Sequence, residues 1–476
     1  MTRVPLRVKG LLALGLLAFL AIPMHGQAQG ESLPDLVPQF PSTPRPTQTA
    51  PVYVDTFSEP GSVLYRFDSV LFNQGGTLDV YRDAATGHVM QAVWAGGVPS
   101  VTPDPNAPPP ADAAGLTTQD LTSRGATFQF VAGPDHNHFH FENAARYELL
   151  VPGIGTLGAA KIGFCFGDDY GTPAVQYFPY PYTGPGMSWC AIGHPAATFF
   201  REGISPGSGD LYNSQVQYQW IDVTGLRPGN YTLRGVVNSS RILVESNYSN
   251  NTVDVPRTIP GVVGVDARVA KLHRVSVPLR ARVVAPSIPA RSSSNCFPRS
   301  GSSTCLVSDS AHPGLKYSIA STPCFGRVSL RASGSQTATA VYSPGHGRAP
   351  VDGFSFVAQD ARGLVSPPAI VRIGASSVAG PPVACLVAGS VGPDRKARFS
   401  YITSGHVPAG AHWALFTNAR PDASAHVAGS TAVTQVLASG KTGFWLELLK
   451  NGRPLKPRVQ SRELTLVVPG VAKAAG

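Results

Sequence analysis

From residue 52 onward the chain repeats one pattern: short runs in which apolar and polar side chains alternate, each ended by a cluster of Gly, Pro, Asn, Asp or Ser. Alternation is the period of a half-buried strand, and those clusters form turns, so short strands are predicted rather than long helices. Residues 65–72 and 78–81 read as strands joined by the turn Asn73-Gln74-Gly75-Gly76, and residues 146–150 and 160–166 read likewise. Residues 217–223 and 231–237 flank Arg227-Pro228-Gly229-Asn230, whose turn chemistry predicts a hairpin. Residues 96–118 and 167–207, dense in Gly and Pro, are predicted as long surface loops. Beyond Pro260 the short strands resume over 324–330, 340–344 and 354–360, and again over 384–470. The expected class is therefore all-β: a β-rich domain with long loops over 52–259, then β-sandwich modules over 260–380 and 381–476.

Composition agrees with many turns. Charged residues are 14% of the 476, below the ~25% of ordinary globular chains, while Gly (50) and Pro (44) are abundant. The first 28 residues hold Arg3, Arg7 and Lys9, an apolar run over 11–22 and Gly26-Gln27-Ala28, the layout of a signal peptide that leaves a mature chain starting near Gln29. Residues 29–51 are rich in Pro, Gln, Ser and Thr and read as a flexible lead-in, with Leu36 and Val37 anchoring a first strand. No later stretch reaches the ~18–20 apolar residues a spanning helix needs, so the expectation is a secreted, periplasmic or cell-surface protein that does not span the membrane.

Six cysteines, Cys165, Cys190, Cys296, Cys305, Cys324 and Cys385, fit an oxidising compartment. None forms a CxxC pair, so disulfides are expected, with Cys165–Cys190 favoured because both lie in one domain. Charge divides the chain. Residues 29–256 carry 10 Lys and Arg against 20 Asp and Glu, a formal −10, whereas residues 257–476 carry 25 against 8, a formal +17. The acidic part would attract cationic substrates; the basic part would serve solubility alone or adhere to an anionic surface or polymer, and no nucleic-acid partner is expected.

The densest chemistry lies in Asp135-His136-Asn137-His138-Phe139-His140-Phe141-Glu142. In an extended strand His136, His138 and His140 share one face while Asn137, Phe139 and Phe141 take the other. The outer two histidines of a straight strand start ~13 Å apart, more than the ~11 Å that two imidazole arms meeting at one ion span, so a bent strand is required for all three. Three neutral nitrogen ligands suit copper(II) or zinc, and copper(II) stands highest in the affinity order. A polar edge-strand face is the plainer alternative, but three imidazoles on one side would then only gather pH-dependent charge.

Residues 135–150, 161–166, 203–207, 210–212, 219–222 and 245–251 occur in the order and spacing of the lysyl oxidase catalytic domain, a resemblance covering roughly residues 34–256. That family is copper-dependent and carries lysine tyrosylquinone, a cofactor made from its own Lys and Tyr. The resemblance implies His136, His138 and His140 as copper ligands, Lys161 and Tyr212 as the cofactor pair, and Asp210 as catalytic base. It implies oxidation of primary amines, peptidyl lysine or small amines, to aldehydes with O₂, releasing ammonia and hydrogen peroxide. Lys161 is moreover the only lysine in residues 29–256; a primary amine can add to an oxidised ring once deprotonated, which an arginine cannot. The modules beyond Pro260 resemble immunoglobulin-like or cadherin-like repeats.

The chain departs from the animal pattern, which has a Trp and a Cys beside the histidines and several disulfides here; only Cys165 and Cys190 lie in this domain. With this export signal and these appended modules, collagen and elastin are not the expected substrates. Two other classes compete: a non-catalytic adhesive or copper-sequestering protein, which would need none of Lys161, Tyr212 and Asp210, and a zinc hydrolase using Glu142, which shares the histidine face.

Overall fold

In a computed structural model the described residues are 33–41, 52–55, 62–132, 136–179, 189–270, 272–284, 314–333, 337–345, 350–360, 364–374, 379–391, 396–417, 420–421, 426–428, 431–437 and 440–468. Among them the fold is all-β, with short 3-10 turns and no α-helix. The signal-peptide reading, Asp135, Cys296 and Cys305 lie outside these residues.

Small antiparallel sheets wrap one apolar core in the first domain, where Tyr65, Phe67, Phe141, Tyr147 and Leu233 are all buried. Leu36–Gln39 pairs with Ser69–Asn73, and Glu245 Oε2 accepts the Leu36 amide at 2.7 Å, so part of the lead-in belongs to this core. Residues 65–72 are two strands, not one. Asp68, between them, accepts the Ser214 amide at 2.6 Å; Leu64–Phe67 then joins Trp220–Asp222, and Ser69–Asn73 joins Ser208–Tyr212.

The expected hairpin across 227–230 does not form. Turns at 222–226, in which Asp222 accepts the Thr224 amide and Thr224 accepts the Val63 amide, divert the chain before Pro228. Gly229–Val237 consequently pairs with Ala145–Val151 and Thr252–Ile259 in another sheet. The loop predicted over 167–207 also holds more structure: Tyr170–Gly171, a 3-10 turn at Trp189–Ala191, and the buried strand Phe200–Ile204 against Leu78–Arg82. The loop over 96–118 ends in the strand Leu116–Asp120.

Among the described residues the basic half holds two further pairs of sheets, each with its own core, one around Tyr342, Phe354 and Phe356, the other around Phe399, Phe444 and Leu446. Their immunoglobulin-like or cadherin-like label rests on sequence alone. They are joined by a Cys324–Cys385 disulfide and by apolar contact of Val351 and Ile370 with Val387 and Ile402. Leu364, from the first of them, is buried in the core cluster of the N-terminal domain.

Candidate metal and cofactor-forming site

The histidine strand, His138–Glu142, lies between Phe128–Val131 and Gly163–Phe164. Alternation places Phe139 and Phe141 in packed aromatic clusters, where Phe139 stacks on Phe200 at 4.1 Å, and leaves His138, His140 and Glu142 on the opposite face. His136 precedes the strand, separated from it by Asn137 at φ +62. Asn tolerates this left-handed conformation better than most residues, and its amide and carbonyl are bonded to Val131 O and the Gly193 amide. That single turn supplies the bend the spacing argument required.

The ligand nitrogens of His136, His138 and His140 lie within 4.8 Å of one another, and His138 Nε2 and His140 Nε2 are 2.9 Å apart. Two nitrogens bound to one ion at ~2.0–2.1 Å with roughly right-angled bonds are separated by about this much. Burial pushes both pKa values down, His140 to about 2, with the Lys161 charge adding to it. Imidazoles held neutral are in the ligand form. The donor set thus fits a copper(II) ion. Behind it Tyr218, itself at φ +67, stacks on the His136 ring at 6.0 Å.

Lys161 sits in the link before Gly163–Phe164. It is 4% exposed, donates to Gly163 O at 2.5 Å, and places Nζ 4.3 Å from the Tyr212 ring centroid. Burial pulls its pKa down to about 8, against the opposing charges of Asp210 and Glu142. Gly163 is required by space: a Cβ there would stand 2.6 Å from Glu142 Oε1 and 2.8 Å from His140 Cβ.

Tyr212 ends the fully buried strand Ser208–Tyr212. The Cys165 amide donates to its hydroxyl at 2.7 Å, and that hydroxyl donates to Cys165 O at 3.3 Å, while Phe164 packs edge-on to its ring. Asp210, two residues earlier on the same face, is buried; its pKa is raised by burial and by Asp169, while Lys161 pulls it down. Asp169 also accepts the Leu211 amide at 2.6 Å, pinning the strand. Asp168 does the same for its approach, accepting the Ser205 and Phe178 amides.

The three histidines form one cluster, and Lys161, Tyr212 and Asp210 form a second whose lysine charge reaches the first. Sequence reasoning missed Gly163, Tyr218, Asp169 and Glu202. Glu202 had a signal, since Arg201-Glu202 between Phe200 and Ile204 is a charged pair inside an apolar run, which points to buried partners. Arg201 pairs with Asp79 at 2.6 Å, and Glu202 is buried near enough to Asp210 and Glu142 for their charges to add to burial in raising its pKa.

Residues 128–258 match the family model described as lysyl oxidase. Over 124 residues the chain is 50% identical to protein-lysine 6-oxidase of Sus scrofa, covering 25% of this chain and 42% of that one. It is 36% identical to the Gallus gallus protein of the same name, covering 25% of each, and 34% identical to lysyl oxidase homolog 1 of Homo sapiens, covering 25% and 18%. The chain thus spans between 18% and 42% of the length of these relatives. No helix among the described residues is long and apolar enough to cross a membrane.

Proposed function

We propose that this chain, which carries a lysyl oxidase domain at residues 128–258, is an exported copper-dependent amine oxidase. It converts primary amines and O₂ to aldehydes, ammonia and hydrogen peroxide, and peptidyl lysine is the first candidate substrate given the name of its relatives. The observation that carries this reading is that the only lysine of residues 29–256 lies buried with its amine over the ring of Tyr212. Neither sequestration of copper nor zinc hydrolysis has a use for that pair.

His136, His138 and His140 would hold copper(II), and Lys161 with Tyr212 would become lysine tyrosylquinone; together these groups would supply the electron sink and the exchange of electrons with O₂. The chain's own residues do the rest. Burial lowers the Lys161 pKa to about 8, so its amine loses its proton far more readily than an exposed lysine and is available without a strong base. Cys165 fixes the Tyr212 ring by two hydrogen bonds and Phe164 fixes its tilt. Asp210 takes the proton from the substrate Cα, and its raised pKa brings it closer to the range of an effective base than a solvent-exposed carboxylate would be. The basic half, at +17, serves attachment to an anionic surface or polymer.

Peroxide release from a lysine peptide and from a monoamine tests the assignment. Asp210→Asn should keep copper content and lower kcat by about 10²–10⁴-fold, the usual contribution of a general base. Full activity in that variant would remove Asp210 from the chemistry.

A further inference from the structure

Outside the copper and lysine clusters, a third group of reactive side chains is built from Cys165, Cys190 and Glu202. The two cysteines form a disulfide, and Glu202 Oε2 lies 2.8 Å from Cys190 Sγ. A disulfide sulfur carries no hydrogen, so Cys190 cannot be the donor in this contact, and the protonated Glu202 carboxyl is the one group there able to donate. The surroundings favour a neutral acid. Glu202 is wholly buried and no ion pair forms on it among the described residues; burial and the acidic Asp210 and Glu142 hold its pKa well above the usual carboxylate range, against a single opposing backbone hydrogen bond at Phe166.

The two sulfurs are not equivalent. Cys190 is buried against Phe178 and Trp189, whereas Cys165 is partly exposed. The second described bridge, Cys324–Cys385, offers a contrast within the same molecule. Its neighbouring carboxyl, Asp352, stands 3.9 Å from Cys385 Sγ and accepts hydrogen bonds from the Cys324, Phe325 and Gly353 amides and the Tyr342 hydroxyl. It is engaged as an acceptor, with no proton aimed at sulfur.

We propose that Cys165–Cys190 is a thiol-exchange site in which Glu202 protonates the departing Cys190 sulfur, and that its redox state decides whether Tyr212 is held for coupling to Lys161. The co-reactant is a soluble dithiol. Its thiolate attacks Cys165 Sγ, the S–S bond breaks with its electron pair on Cys190 Sγ, and the Glu202 proton converts that thiolate to a thiol. The second thiol of the reductant then displaces Cys165, so the protein gains two thiols, the reductant becomes a disulfide, and Glu202 is reprotonated from solvent. Opening the bridge frees Cys165, whose amide and carbonyl hold the Tyr212 hydroxyl. It also releases Cys190 and Ala191, both in left-handed backbone conformations at φ +58 and +51 that residues other than glycine seldom adopt. Once Lys161 and Tyr212 are covalently joined the bridge no longer matters, so control acts on cofactor formation alone. That last consequence rests on the proposed function; the exchange chemistry does not.

Three measurements on the full-length protein test this. Glutathione followed by acid quench and peptide mapping should give a mixed disulfide on Cys165; one on Cys190 would overturn the assignment. Reduction by dithiothreitol, followed by alkylation and mass, should be about tenfold or more slower at Cys165–Cys190 in Glu202→Gln, with Cys324–Cys385 unchanged, as loss of a general acid predicts. If that variant does not fold, the unaltered protein serves: reduction in D₂O should slow at Cys165–Cys190 more than at Cys324–Cys385, and equal slowing overturns the acid. Finally, protein reduced and alkylated before copper is added in air should yield no joined Lys161–Tyr212 peptide, while treatment after copper loading should leave it intact. A joined peptide in pre-reduced protein overturns the gating. Its absence from every sample, untreated included, removes only the cofactor.

Discussion

Gly163→Ala places one methyl group where two elements of the site meet. The new Cβ would fall 2.6 Å from Glu142 Oε1, 2.7 Å from His140 Nδ1 and 2.8 Å from His140 Cβ. The carboxylate is the end of a flexible side chain and can swing away. His140 Cβ cannot, because its strand is paired on both sides. The strain must be relieved by separating the strands, at a cost of about 1–3 kcal/mol for overpacking. Two things move with them: the His140 imidazole and the Gly163 carbonyl that receives Lys161 Nζ at 2.5 Å. Urea unfolding of metal-free protein should therefore show that loss of stability, and titration against a chelator should show copper affinity lowered about tenfold, the scale on which ligand-orienting contacts act. Adding Glu142→Ala should recover only the carboxylate's share. Native stability and native copper affinity in Gly163→Ala would refute the packing described at this strand pair.

Lys161→Met should change how metal-free stability depends on pH. The folded pKa, about 8, lies below the ordinary 10.5, so the folded state binds fewer protons between those values and the wild type loses stability as pH falls from about 10.5 to about 8, by roughly 3 kcal/mol in all. The difference between wild type and variant in urea melts isolates that slope, and parallel curves would contradict a buried amine. Tyr218→Gly relieves a φ of +67 but removes the ring stacked on His136. Stability should stay within about 1 kcal/mol while copper affinity falls about tenfold; unchanged affinity would mean the stack does not orient the ligand. Asp79→Asn should cost about 3–5 kcal/mol in urea unfolding, because it strands the buried Arg201 guanidinium.

The strand-and-turn pattern and the histidine face were legible because both depend on local periodicity: His138 and His140 do share a face, and Asp210 and Tyr212 do as well. Even the need for a bend could be read, although the residue that makes it, Asn137, could not. Pairing was less accessible. The turn at 227–230 looks like a hairpin turn because it has hairpin residues, but the turns at 222–226, where Thr224 accepts the amide of distant Val63, divert the chain before it and the next strand joins another sheet. Phe200–Ile204 was hidden by the Gly and Pro around it, and with it Glu202, whose importance lies entirely in distant neighbours. The Cys165–Cys190 bridge followed from domain membership, whereas Cys324–Cys385 crosses the boundary placed at 380 and 381 and so escaped that logic.

The central claim is that the buried lysine over Tyr212 exists to be joined to it. The most direct measurement is peptide mapping of the full-length protein after copper loading in air, with disulfides reduced and alkylated before digestion. The account predicts one covalent species containing both Lys161 and Tyr212, absent from metal-free protein and from Lys161→Arg. Recovery of the two residues only in separate, unmodified peptides from fully copper-loaded protein would contradict it.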